Sequence, residues 1–216
     1  MTKILKTLIL LAFAGYTLAS ATCSSAQVVT QGSSNLFIGF GQPNIPKLLV
    51  GGLWEGGSGA SGFGPWTITY QYAPKKKIAV GIQIGYVSGT SGPISWQDPN
   101  SFGGTNTYNY TFSMSIFTAL CKFDYHYLKS KSFDLYSGVA AGYGFARISF
   151  SGIDNPDGAT VSGGGFIYSV DGIGLRWMFV PNIGVFTEFG YGAMGIVTFG
   201  LSAKFGGRKD WWNDVD

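Results

Sequence analysis

Bulky and small side chains alternate along much of this chain with the two-residue period of a β-strand. In the segment 66–72, Trp, Ile and Tyr occupy the even positions, and Thr and Gln occupy the odd ones. The segment 78–86 repeats this arrangement, with Ile, Val and Tyr alternating with Ala, Gly and Gln. Because successive side chains of a strand point to opposite faces, each segment has one bulky apolar face and one small or polar face. This pattern predicts an all-β protein.

Eight strands follow from the same alternation. They are predicted at 35–40, 66–72, 78–86, 107–128, 133–150, 164–179, 183–191 and 195–205. Two of them change phase, near Ile116–Phe117 and near Val170–Gly172, which predicts either β-bulges or strand that continues beyond a bilayer.

The connections between these strands alternate in length. Short connections are predicted at 73–77, 129–132 and 180–182, and longer ones at 41–64, 88–106 and 151–163, although the last turn at 192–194 is brief. Short periplasmic turns and longer outer loops are typical of outer-membrane barrels. An even number of strands would place both termini in the periplasm.

The first residues resemble a secretory signal peptide, predicted at 1–26. Lys3 and Lys6 precede an apolar stretch, and cleavage is expected after Ala26, with Ala21 as the alternative. Cys23 raises the possibility of a lipoprotein, but Thr22 stands where such a signal has Gly, Ala or Ser. The predicted organisation is a signal peptide at 1–26, a barrel at 27–205 and a periplasmic tail at 206–216.

The charge content fits a membrane-embedded chain. Only 12% of the residues are charged and 34 are glycine, whereas average domains carry about 25% charged residues. Removal of Lys3 and Lys6 leaves 12 basic and 11 acidic residues, a net charge of +1 that gives no footprint for nucleic acid. The mature chain would keep one cysteine, Cys121, so no disulfide, cofactor or metal site is predicted. After the signal, no run of 18 apolar residues exists, which leaves the barrel as the membrane-spanning option.

The two faces of the strands decide between two kinds of barrel. A soluble lipocalin-like barrel turns its apolar face inward around a ligand. Here one face is mostly Gly, Ala, Ser and Thr, which suits the narrow lumen of eight strands, while the other is large and aromatic, as lipid contact requires. We therefore predict an eight-stranded antiparallel up-and-down transmembrane β-barrel in the outer membrane of a Gram-negative bacterium.

A polar network and an aromatic girdle are predicted on the two faces. Charged residues in phase with the small face should point into the lumen and pair, since charge facing lipid is costly; the alternative is a gated pore or proton path. The expected interior network is Lys122, Asp124, His126, Asp134, Arg176, Glu188 and Lys204. The expected girdle beside the short turns is Tyr70, Tyr72, Tyr125, Tyr127, Phe133, Trp177 and Phe179, and a second belt is Tyr86, Tyr143, Phe145 and Tyr191.

Several segments carry a family resemblance. The segments 68–72, 78–86, 133–138 and 200–205, and above all 174–177 leading into 181–184 and 188–192, resemble the outer-membrane β-barrel family of Bacteroidota, with a small OmpA/OmpX-like architecture. The resemblance implies a fold and a location but no catalytic residue set. Phe205 resembles the terminal aromatic read by the barrel-assembly machinery, although residues 206–216 follow it; this tail is expected either to be disordered or to bind a periplasmic partner.

Three functional classes compete on this evidence. The first is a non-enzymatic envelope or surface protein whose longer loops, with Trp54, Trp96 and Phe102, contact a partner; a subunit of a larger complex is compatible with it. Outer-membrane lipid, lipopolysaccharide and the assembly machinery are the other expected partners. The second class is a lipid-modifying enzyme, which would need the single histidine, His126, as a base. The third is a narrow pore. The run 56–64 lacks the Gly-Lys-Ser/Thr ending of a phosphate loop, which excludes that motif.

Overall fold

The computed structural model describes residues 28–52, 59–97, 107–128, 130–152, 155–192 and 194–206. The predicted signal peptide at 1–26, residues 207–216 of the predicted tail, and the loop aromatics Trp54 and Phe102 lie outside the described residues, as does the side chain of Trp96.

The described part of the chain forms nine strands and one helix. The strands are β1 (Ser33–Gln42), β2 (Ser61–Lys75), β3 (Ile78–Thr90), β4 (Ile94–Gln97), β5 (Thr107–His126), β6 (Phe133–Gly152), β7 (Asn155–Val180), β8 (Ile183–Gly192) and β9 (Gly195–Gly206), and the helix α1 is Ile45–Gly52. In this part of the chain no helix is long and apolar enough to cross a membrane.

Eight of the strands close into a ring. The sheet runs in the order β3-β2-β1-β9-β8-β7-β6-β5, and pairing of β3 with β5 completes the circle. Every pairing is antiparallel, and β1 joins β9 from Ser33–Gly206 to Gln42–Val197. The short β4 pairs with the first residues of β5 outside the ring. The predicted eight-stranded antiparallel up-and-down barrel is confirmed.

The predicted facing of the strands is also observed. Ile82 on β3 and Leu201 on β9 are more than half exposed on the outer face, while Asn35 and Thr118 on the inner face are completely buried. In the described strands, charged side chains lie on the inner face or toward the strand ends. The lumen is more tightly filled than a face of small residues implies, because Phe37, Tyr136 and other large side chains also point inward.

Seven of the eight ring strands are longer than predicted, β5 ends at His126 instead of 128, and one predicted loop is wrong. Residues 155–163 belong to β7 and pair with β6, for example at Ile148–Val161, so the expected loop at 151–163 shortens to the connection between Gly152 and Asn155. The cross-strand contact between Ser149 Oγ and Thr160 Oγ1, 2.9 Å long, joins the two strands in this region. Likewise, α1 and the first residues of β2 lie within the expected loop 41–64, and β4 within 88–106.

The two phase changes have different causes. Pairing is continuous through Ile116 and Phe117, so β5 has no bulge at this point and continues as a regular strand. Near Val170–Gly172 the register shifts between β7 and both neighbours: Asp171 pairs with Gly138 and Gly190, whereas Ile173 pairs with Phe189. Gly172 is thus the extra residue of a β-bulge.

The ends of the barrel differ. One end, here the turn end, carries the connections 76–77, 127–132 and 181–182 together with the two ends of the sheet at Ser33 and Gly206. The opposite end, here the rim, carries α1, β4, the long β6–β7 hairpin and the β8–β9 turn.

Candidate functional site: the lumen and the rim

An ion-pair cluster fills the lumen toward the turn end. Asp134 Oδ2 accepts a hydrogen bond from Arg176 Nη2 at 2.7 Å, and His126 Nδ1 lies 2.9 Å from both oxygens of the same carboxylate. Arg176 Nη1 donates to Asn35 Oδ1 at 3.0 Å, and its guanidinium stands 5.2 Å from the centroid of the Phe37 ring. All five side chains are buried. We call Asn35, His126, Asp134 and Arg176 the Arg176 cluster.

A second cluster lies nearer the rim and centres on Lys122. Its Nζ is 2.7 Å from Glu188 Oε1, 2.9 Å from Asp171 Oδ2 and 3.9 Å from Asp124 Oδ2. Tyr136 donates its hydroxyl hydrogen to Glu188 Oε1 at 2.9 Å. These five residues form the Lys122 cluster. Burial of Lys122 among three carboxylates is tolerable because each charge has an opposite charge or a hydrogen-bond donor beside it.

The two clusters are connected across the lumen. The rings of His126 and Tyr136 are 5.3 Å apart between centroids, so one residue of each cluster contacts the other. Asp124 also accepts a hydrogen bond from Gln71 Nε2 on β2. An ideal Cβ at Gly138 would overlap Asp124 Oδ1, so only glycine leaves room for this carboxylate. The network therefore ties strands on opposite sides of the barrel.

The structure brings six of the seven predicted network residues into these clusters. The seventh, Lys204, is buried on the same inner face and pairs in register with Asn35. Sequence reasoning missed Asp171, Tyr136, Gln71 and Asn35. A signal for Asp171 existed: the bulge at Gly172 restores its inward direction, and the phase change at 170–172 marks that bulge.

Apolar residues close the lumen at the turn end. Val28 and Val29 cross this end and form a buried cluster with Ala73 of β2 and Met178 of β7. The crossing segment is held by a hydrogen bond from Val28 N to Ser130 O, 3.1 Å long.

At the rim, α1 lies against the inner face of β2 and β3. Asn44 caps the helix by accepting a hydrogen bond from Lys47 N at 2.8 Å, and its amide donates to Gly64 O at 3.1 Å and to Ser88 O at 2.9 Å. An ideal Cβ at Gly89 would stand 2.6 Å from the carbonyl carbon of Pro46, so the helix backbone rests directly on this glycine.

The β8–β9 turn closes the remaining opening. Met194 is buried, and its Sδ reaches the inner face of β3 at Gly85, on the other side of the lumen. Beneath it lies a cavity of about 20 Å³, which is bordered by Asp171 and Glu188. A cavity of this size has room for about one water molecule. This cavity is too small for a lipid or a larger solute, and the buried side chains of both clusters, the apolar closure and Met194 occupy the described lumen around it.

The predicted girdle aromatics lie on the outer face. Six of them are more than one third exposed, and Phe179 is half-buried. Several are in contact: the rings of Phe133 and Trp177 stack with centroids 6.1 Å apart, and Tyr125 meets Tyr127 edge to face. The residues of the second predicted belt, Tyr86, Tyr143, Phe145 and Tyr191, are likewise exposed on the strands toward the rim.

The arrangement offers little for catalysis. His126 is 2% exposed, and Nδ1 is held by Asp134, which itself binds Arg176. A general base must reach the proton that it removes from a substrate, and His126 is enclosed by its cluster and by the apolar closure of the turn end. Its position fits a hydrogen-bond partner of Asp134 rather than a base.

Comparisons with known proteins extend to fold alone. No protein-family model matches this chain, and no curated protein sequence does so at a significant level. Among solved structures, Ail, the attachment invasion locus protein of Yersinia pestis, crystallised with the heparin analogue sucrose octasulfate, aligns with a TM-score of 0.46 and 14% identity over 81% of this chain and 99% of Ail. The N-terminal β-barrel domain of Pseudomonas aeruginosa OprF aligns with a TM-score of 0.40 and 13% identity, over 82% of this chain and 99% of that domain.

Proposed function

We propose that the chain is a non-enzymatic integral outer-membrane protein whose sealed barrel is a rigid mount for an extracellular binding surface. The single observation that carries the proposal is the polarity of the barrel. Large apolar side chains such as Ile82 and Leu201 face outward, while Lys122, Asp134 and Arg176 are buried inside. A barrel in water would need the reverse, and a barrel in lipid needs this arrangement.

The height of the apolar surface supports membrane insertion. On β8 the outward positions run from Ile183 to Tyr191, and on β3 from Ile78 to Tyr86. Segments of about nine residues match the roughly 9–11 residues that a tilted strand needs to cross a bilayer. The exposed aromatics at both ends of these strands fit the two lipid–water interfaces.

The closed lumen favours a surface role over transport. Two ion clusters, the apolar closure at Val28 and the turn at Met194 succeed one another along the barrel axis. The rim, in contrast, carries α1, β4 and a β6–β7 hairpin that rises past the β8–β9 turn. In the proposed orientation the rim faces the outside and the termini face the periplasm, so the partners would be lipid, lipopolysaccharide and, at the rim, another protein.

Cys121 provides a test of the orientation. It is exposed on the outer face of β5, opposite Ile82 and Ala141. A chain that starts at Gln27 has this single cysteine. A nitroxide attached to it in lipid vesicles should collide readily with oxygen and rarely with a water-soluble nickel complex, because the label would lie among acyl chains.

Matched labels make the result decisive. In a Cys121→Ser background, a nitroxide attached to Ser151→Cys near the rim should collide more often with the nickel complex than the label at Cys121 does. Nickel collisions at Cys121 equal to those at the rim, or a folded monomer in buffer without detergent, would refute the membrane proposal.

A further inference from the structure

Lysines are concentrated on one side of the turn end. The connection between β2 and β3 carries Lys75, Lys76 and Lys77, and Lys131 lies in the next connection, between β5 and β6. These two connections are neighbours, because β3 pairs with β5 and Lys77 O accepts a hydrogen bond from His126 N at 2.9 Å. Lys75, Lys77 and Lys131 are exposed, and we call these three residues the lysine sector.

The acidic residues of the described chain lie elsewhere. Those whose side chains are described are Asp124, Asp134, Asp171 and Glu188, and all of them belong to the lumen clusters. The turn at 181–182, on the other side of this end, consists of Pro and Asn. In the described chain, exposed charge at the turn end is therefore positive and lies on the side of β2, β3, β5 and β6.

The strand register places part of this charge within the aromatic girdle. A register shift between Tyr72 and Lys75 brings Lys75 opposite Ile78, and Ile78 in turn lies opposite Tyr125. Directly paired residues of a sheet share one face, so Lys75 stands on the outer face in the same row as the exposed Tyr125. The ring of Tyr125 also meets that of Tyr127, with centroids 5.3 Å apart.

Girdle aromatics mark the depth at which lipid headgroups meet acyl chains. A lysine at this depth keeps its methylene stem on the apolar surface and its ammonium among the headgroups. The tyrosine hydroxyls beside it are further hydrogen-bond donors. Ammonium and hydroxyl donors at the border of an apolar surface complement a phosphate group that is attached to acyl chains.

The outer face above the girdle offers a place for one of those chains. Cys121 on β5 lies opposite Ala141 on β6, and the same row continues to Ile82 on one side and Tyr168 on the other. Ile82 and Tyr168 are more than half exposed, so two small side chains stand between two large ones. An acyl chain can lie over the small pair and contact the large side chains on both flanks.

We propose that the lysine sector binds the phosphate of an anionic phospholipid in the periplasmic leaflet, with an acyl chain over Cys121 and Ala141. Lysines close to a membrane surface are attracted to anionic lipids, whereas the cationic group of a zwitterionic lipid would meet the same ammonium groups. This inference rests on the proposed membrane insertion and orientation, and it names the class of lipid that the turn end selects.

A fluorophore on Cys121 can report this lipid. Cys121 is four residues from Tyr125 on β5, about 13 Å along the strand, so the fluorophore lies among acyl chains above the lysine sector. The full barrel is reconstituted in vesicles that mix phosphatidylglycerol with phosphatidylcholine, and one lipid at a time carries bromine at mid-chain. Bromine quenches the fluorophore on contact, so quenching at several lipid ratios gives the relative affinity of the two lipids at this place.

Phosphatidylglycerol should bind at least about threefold more tightly than phosphatidylcholine, because its headgroup has a net negative charge. Lys75→Gln with Lys131→Gln should reduce this preference by about twofold or more. Lys47→Gln with Arg147→Gln is the matched control, since it removes the same charge from exposed residues toward the rim and should leave the preference unchanged.

A second control moves the fluorophore to the other side of the barrel. Thr187 lies on the outer face of β8, opposite Leu175 and Phe199, and above the uncharged turn at 181–182. In a Cys121→Ser background, a fluorophore on Thr187→Cys should be quenched about equally by the two brominated lipids, because the lysine sector is distant from it.

Three results would overturn the inference: equal affinity of the two lipids at Cys121, a preference that survives Lys75→Gln with Lys131→Gln, or the same preference at Thr187→Cys. Equal affinity at Cys121 would assign the lysine sector to a soluble periplasmic partner instead. Absence of quenching by either brominated lipid would refute membrane insertion itself, so failure of the lipid preference is distinguishable from failure of the proposed function.

Discussion

At the scale of single residues, Asp134 is the residue that holds the Arg176 cluster together near the turn end of the lumen. Its carboxylate accepts a hydrogen bond from Arg176 and contacts His126, and all three side chains are buried. Removal of one partner from a buried ion pair leaves an uncompensated charge, which costs far more than the intact pair contributes. The loss of Asp134 should therefore lower the stability of the barrel most when Arg176 is still present.

We predict that Asp134→Asn lowers the free energy of unfolding by about 3–5 kcal/mol, because Arg176 then stays buried without a counter-charge. Urea unfolding in lipid vesicles measures the effect. Lys131→Gln, an exposed control in the adjacent turn, should change stability by less than about 0.5 kcal/mol. A double variant, Asp134→Leu with Arg176→Met, should lose less than Asp134→Asn alone; equal losses would argue against the ion pair as the cause.

Residue parity explains how much of the site was predictable. Lys122, Asp124 and His126 occur at every second position of one strand, so their common inward direction follows from the sequence. The identity of their partners does not follow from the sequence, since Lys122 on β5 meets Glu188 on β8 only when the ring has closed. Phe37 points inward to meet Arg176, and no local pattern distinguishes it from a lipid-facing aromatic.

At the scale of elements, the bulge in β7 determines which side chains face the lumen. Gly172 is an extra residue between Asp171 and Ile173, so both ends of β7 keep their correct faces. Removal of a residue from regular strand would instead reverse one end, because the side-chain period is two.

We predict that deletion of Gly172 preserves folding, since Asp171 still faces Lys122. Deletion of Phe123 from the regular strand β5 should abolish it, because Lys122 and Asp124 then become neighbours and one of them must face lipid, at about 2–4 kcal/mol for a lysine at mid-depth. Gel mobility of unheated and heated samples reports barrel formation in both. Folding of the Phe123 deletion would contradict the assigned facing of β5, and failure of the Gly172 deletion would contradict the assigned bulge.

The elements that the sequence analysis missed share a cause. The run Gly163–Gly165 favours a loop on propensity, yet it continues β7 because β6 supplies a regular partner throughout. The helix α1 is only eight residues long and depends on the cap at Asn44 and the contact with Gly89. Such tertiary support is not visible in a local pattern, whereas the eight alternating strands are.

At the scale of the whole molecule, the barrel is expected not to conduct. In the described residues, the ion clusters, the Val28–Met178 closure and Met194 fill the lumen, and the cavity near the rim measures about 20 Å³. Purified protein in planar bilayers should therefore give no stable single-channel steps under conditions in which a general porin does. Reproducible steps of one size would contradict the sealed lumen and revive the narrow-pore alternative.

The pairing of β1 with β9 has a consequence for biogenesis. All other ring contacts join strands near one another in the chain, but this seam unites the first strand of the ring with the last. Sequence-distant contacts form late because a long loop must be closed first. Until then, β1 and β9 are two adhesive margins in an unfinished sheet. A chaperone that covers these two unpaired edges until they meet would prevent the nascent protein from aggregating with other chains.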